Sequence, residues 1–203
     1  MAPVLIRATI GDVISRLLSA RRGVVLGSRT AMTEIRQTAA ATAVTMASVT
    51  ETILYRLTPI DPQVADRLRA ENPDASRYVA DARPGYPCRQ CLRDAEIGDE
   101  LILVSWDPFT ADTPYRSASP IFLHKEPCQA PKMTALPEQL TVRQLSVRAF
   151  DGEEMMIDAA IVEGSKLDET LERFFAQPDC HHVHVHNATR GCWATRVDRV
   201  SAG

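Results

Sequence analysis

His182-Val183-His184-Val185-His186 leads through Asn187-Ala188-Thr189-Arg190-Gly191 into Cys192-Trp193-Ala194-Thr195-Arg196-Val197-Asp198-Arg199-Val200. Two alternating runs joined by a short polar turn with glycine read as a β-hairpin. In the first run the three imidazoles share one face and the two valines the other. In the second run Trp193, Thr195 and Val197 alternate with Cys192, Ala194, Arg196 and Asp198. Burying the valines beside Trp193 and Val197 requires odd positions to face odd positions. A slip by one residue would set the valines against Arg196 and Asp198. This register turns Cys192, Arg196 and Asp198 toward the histidines. Such a face is either simply wet or a place where imidazoles and a thiolate can surround a tetrahedral ion.

Working upstream, Leu167 to Phe175 carries Leu167, Leu171, Phe174 and Phe175 at helical spacing. Leu145–Phe150 and Met155–Val162 flank the turn Asp151-Gly152 as a second hairpin. Glu100 to Trp106 is a nearly continuous apolar run, a strand covered on both faces, and Ile121 to His124 is a short strand. Between them runs Asp107 to Pro120, with three prolines and two aromatics; a connection this long without regular structure is often functional. Asp61-Pro62 opens a helix with Val64, Ala65 and Leu68 inward, and Thr52 to Leu57 is the first strand. Six or seven strands with two helices, mostly hairpin-connected, predict a single α+β domain with a mostly antiparallel sheet and a C-terminal β-hairpin. Regular βαβ alternation, internal repeats and a phosphate-loop glycine signature are missing from the sequence.

Charge divides the chain. Residues 1–45 hold six arginines, no lysine and two acids, whereas 46–203 hold 17 basic and 24 acidic residues. The segment 1–45 reads as an N-terminal extension, either disordered or upstream of the native start at Met46, with the domain occupying 46–203. An organellar transit peptide has the same composition, and Ile10 to Ala20 has the spacing of a short helix. With 203 residues, 45% hydrophobic, net charge −3 and pI near 6.0, the chain suits a globular, cytoplasmic protein rather than a broad nucleic-acid binder. It has no apolar run of about 18 residues to span a membrane. Five cysteines are too few for a disulfide scaffold at this length.

Cys88-x-x-Cys91 follows Pro84-Gly85-Tyr86-Pro87. Two thiolates so spaced are half a zinc site, a redox dithiol, or two buried thiols acting as small apolar groups. A second C-x-x-C is lacking, so further ligands must come from Cys128, Cys192, His124, His184 or His186. His124 and Cys128 stand four apart, but Pro127 disfavours a continuous helix there. The expected set is Cys88, Cys91, His124, His184, His186 and Cys192, gathered under the 107–120 loop, with zinc the ion suited to mixed sulfur and nitrogen donors. A thiol-dependent enzyme or redox sensor centred on Cys88-x-x-Cys91 is the alternative, and a non-catalytic binding module using Trp106, Phe109 and Tyr115 a third. The partner is then a metal ion or small ligand, not nucleic acid or membrane.

Five ordered blocks carry a family resemblance: Pro87-Cys88-Arg89-Gln90-Cys91-Leu92-Arg93-Asp94-Ala95; Gly98-Asp99-Glu100; Asp107-Pro108-Phe109 with Pro114-Tyr115-Arg116-Ser117; Pro120-Ile121-Phe122-Leu123-His124 with Cys128; and Val183 to Asn187 with Gly191-Cys192 and Arg196 to Arg199. Over Tyr55 to Arg199 the chain resembles the bacterial family known as domain of unknown function 1203. The resemblance implies a globular part that begins near Met46 and supplies no catalytic residues. Thr113 stands where the family pattern commonly has serine, and position 195 varies; neither touches a thiol or imidazole.

Overall fold

The computed structural model describes residues 54–130, 132 and 135–200; the 1–45 extension and the helix expected at 10–20 lie outside them. The strands are β1 (Leu54–Thr58), β2 (Ser76–Val79), β3 (Glu100–Trp106), β4 (Ser119–His124), β5 (Gln144–Phe150), β6 (Met156–Glu163), β7 (His182–Asn187) and β8 (Trp193–Val200). The helices are α1 (Pro62–Glu71), α2 (Glu138–Thr141) and α3 (Leu167–Phe175), the last entered through a 3₁₀ turn, Gly164–Lys166. Five strands form one antiparallel sheet in the order β1-β8-β7-β5-β6, and β2-β3-β4 form a second antiparallel sheet. The fold is α+β and ends in the β7–β8 hairpin. Among the described residues no helix is long and apolar enough to cross a membrane.

Amphipathicity places the layers. α3 repeats its apolar residues at i, i+4, i+7 and i+8, and Leu167, Leu171, Phe174 and Phe175 are all buried. They pack with Val183, Val185, Val147 and Val197 into the main core, each large side chain contributing about 1.5–3 kcal/mol. The second core cluster joins α1 to the smaller sheet through Ile60, Ala65, Ile102, Val104, Ile121 and Leu123, and Trp193 of β8 enters it. The Trp193 amide also donates to Ser119 Oγ of β4 at 3.1 Å, tying the two sheets together.

The terminal hairpin keeps the expected register over most of its length: Val183 faces Val197, His184 faces Arg196 and His182 faces Asp198. At its turn end the expectation fails. A bulge between Val185 and His186 sets His186 opposite Trp193 rather than Ala194, the partner that the rest of the register gives it. The extra residue carries Trp193 over to the histidine side, where its ring lies edge-on to His184 at 6.4 Å. Burial explains the shift, because the indole fills the apolar space beside the second sheet. Cys192 consequently leaves the face it was expected to share with the imidazoles.

Nor is the histidine face wet. His182, His184 and His186 are all buried. Phe150 stacks on His182 at 5.3 Å, and Phe109 from the 107–118 connection meets His184 edge-on at 4.9 Å. That connection is tied down by buried Glu154, whose carboxylate accepts from the Thr110 and Ala111 amides and the Thr110 hydroxyl.

Candidate metal centre

Residues 87–94 form a tight knuckle beside β4. The Cys88 amide donates to the Arg93 carbonyl at 3.0 Å, and the Leu92 amide to the Cys88 carbonyl at 3.1 Å. Closing so short a loop drives Leu92 into the left-handed region, φ 53°, which non-glycine residues adopt at a cost. The Leu92 side chain, buried in the main core, holds it there. A bridge between Cys88 and Phe122, with the Arg89 amide donating to the Phe122 carbonyl at 3.0 Å, aligns the knuckle with the end of β4.

That alignment brings Cys88 and Cys91 to His124, the last residue of β4, and to Cys128 just beyond it. Their ligand atoms all lie within 4.8 Å of one another. Cys88 Sγ is 3.7 Å from Cys128 Sγ, and Cys91 Sγ is 3.7 Å from His124 Nδ1. A tetrahedral zinc with Zn–S near 2.3 Å separates its sulfurs by about 3.8 Å, close to the Cys88–Cys128 separation. The other imidazole nitrogen, Nε2, faces Asp99 Oδ2 at 3.4 Å. A carboxylate behind a ligating histidine orients the ring and selects the tautomer.

The electrostatics are those of thiols crowded together. Hydrogen bonds from Cys128 and Cys91 hold the Cys88 thiol far below its ordinary range, while Cys128 beside it is pushed far up. His124 is raised to about 10, chiefly by its hydrogen bonds to Cys88 and Cys91. A divalent cation would replace the shared protons. Three thiolates and a neutral imidazole around Zn²⁺ carry one net negative charge, and Arg93, held in its charged form by Cys91, lies beside it.

Among the six side chains expected to converge, Cys88, Cys91 and His124 meet, and they do so with Cys128. His184 and His186 are placed on the buried face of the large sheet. Cys192 is placed next to the knuckle but outside the cluster: its sulfur accepts from Arg89 Nη2 at 3.1 Å and Asn187 Nδ2 at 3.5 Å. Of the aromatics weighed as a contact surface, Phe109 is buried, Trp106 half-buried and only Tyr115 exposed.

Comparison with known proteins adds one finding. The curated proteins and the solved structures give no match. The family described as protein of unknown function (DUF1203) matches residues 85–199, a span that includes all four clustered donors and the terminal hairpin. With more than half of its length matched, the chain belongs to the DUF1203 family.

Proposed function

We propose that this is a zinc protein, and that Cys88, Cys91, His124 and Cys128 bind one ion in a structural site. The observation that carries the reading is the donor set itself: three sulfurs and one imidazole nitrogen within 4.8 Å of one another, with a carboxylate behind the imidazole. Four protein donors close the coordination sphere and leave no position for water or substrate, which marks structural rather than catalytic zinc. The ion would cross-link the knuckle to the end of β4 and the segment after it. It would thereby support Arg89, whose Nε donates to the Trp193 carbonyl of β8 at 2.6 Å.

Elemental analysis of protein purified without a histidine tag is expected to give one zinc per chain. Chelator, or Cys128→Ala, is expected to lower the Tm by several degrees, because binding energy of the folded state is folding energy. Cys192→Ala should leave the zinc content unchanged. Sub-stoichiometric metal with an unchanged Tm in chelator would overturn the reading. Recovery of Cys88 and Cys91 as a reversible disulfide in metal-free protein would favour the redox alternative for the same thiols.

A further inference from the structure

A cleft of about 830 Å³ opens between the knuckle, the small sheet and the turn of the terminal hairpin, outside the four-donor cluster. Cys192 and Arg89 line it, with Arg143, Arg190, Asn187 and Tyr86 around them. Arg89 is 1% exposed. Its three acceptors are the Trp193 carbonyl, the Pro87 carbonyl and Cys192 Sγ. Of these, only the sulfur can carry a full negative charge. Arg89 Nη2 stands 3.1 Å from it. The Asn187 amide donates to the same sulfur, while its buried Oδ1 has no partner among the described residues. Further out, Arg143 is held by a two-pronged ion pair with Asp94, and Arg190 is exposed on the hairpin turn.

We propose that this cleft is a second site, in which Cys192 is a nucleophile paired with Arg89 and Arg190 receives a small anionic electrophile. The sulfur gives up its proton to solvent and attacks an electrophilic carbon, a C–S bond forms, and the leaving group departs with its bonding electrons. The bulge that removes Cys192 from the histidine face is what delivers it here. None of the four clustered donors takes part in this step, and Arg89 reaches the sulfur from the knuckle that carries Cys88 and Cys91.

Iodoacetate and iodoacetamide test both halves of the idea, because they place the same carbon and leaving iodide on an anionic and a neutral reagent. With the full chain under native conditions and peptide mapping of the label, Cys192 is expected to react with iodoacetate about tenfold faster than a cysteine in a short peptide. The ratio of iodoacetate to iodoacetamide rates should exceed that of the peptide and fall toward it in Arg190→Gln, an exposed change that leaves the core intact. Cys192→Ser should abolish that label only. Mapping by residue separates this outcome from any labelling of Cys88, Cys91 or Cys128. Cys192 reacting no faster than the peptide would overturn the proposal, and so would a reagent preference indifferent to Arg190.

Discussion

His124 would supply the one nitrogen among the four candidate donors, and Asp99 stands behind its ring. Asp99 Oδ2 also accepts the Glu96 amide at 2.9 Å, so the carboxylate is already oriented when it meets Nε2. Replacing Asp99 with asparagine keeps the shape and removes the charge. Zinc affinity is expected to fall about tenfold, the lower end for such a partner because Asp99 is partly exposed. Competition with a chromophoric chelator measures it, and an unchanged affinity would show that Asp99 plays no part in positioning the ligand. At this scale the sequence reveals half of the centre readily: Cys88-x-x-Cys91 announces itself through spacing, and His124 enters as one of few imidazoles. Cys128 is harder to see. Four residues after a histidine, it invites a helical test, which Pro127 defeats. The structure reaches the same proximity from the end of a strand and the bend after it, a geometry with no periodic signature.

Helix α1 shows how an element remote from the chemistry supports it. Asp61 caps the helix, its Oδ1 accepting from the Gln63 amide at 2.8 Å and the Val64 amide at 3.4 Å, and Pro62 occupies the first turn. From the last turn Arg69 Nε donates to the His124 carbonyl at 2.9 Å, and Nη2 donates to Gln90 Oε1 in the knuckle. Asp61→Ala is expected to cost about 1 kcal/mol in urea unfolding with zinc content intact, since the cap stabilises the helix and touches no ligand. A loss of zinc in that variant would mean that α1 holds the centre together more tightly than these two hydrogen bonds suggest. Elements of this kind were legible because their signals are local: the Asp-Pro start of α1, the i, i+4, i+7, i+8 stripe of α3, the continuous apolar run of β3. β2 was not foreseen, for Ser76–Val79 is a four-residue edge strand exposed along its whole length, so it has no buried face to imprint an alternation. The bulge in β7–β8 escaped for the opposite reason. Counting odd against odd conserves the pattern only while no residue is inserted, and the preference of Trp193 for the inter-sheet core is a tertiary effect that outweighs the local count.

Across the whole molecule the large sheet has two unlike sides, and the contrast makes stability depend on acidity. On the valine side α3 seals an apolar core. On the other, His182, His184 and His186 are buried among Phe109, Phe150 and Trp193. Desolvation, the largest cause in each case, lowers His182 and His186 to about 4 and His184 to about 2. Arg196 and Arg148 facing them from β8 and β5 add to this. Glu154 and Asp198 favour the charged form of His182, and His181 beside it opposes that form. In the unfolded chain each imidazole takes up a proton near pH 6.5, whereas in the folded protein it stays neutral until about pH 4 or lower. Within that window the unfolded state binds more protons, so stability falls as pH falls. By pH 5 the loss is about 2 kcal/mol per histidine. His184→Phe should remove one share, because the aromatic surroundings accept a ring and neither His184 nitrogen has a hydrogen-bond partner among the described residues. Urea unfolding at pH 7 and pH 5, with zinc content measured at both, is expected to show the variant at least as stable as the parent at pH 7. Between the two pH values it should lose about 2 kcal/mol less than the parent. Equal losses in the two proteins at equal zinc content would show that the buried imidazole does not carry the acid sensitivity.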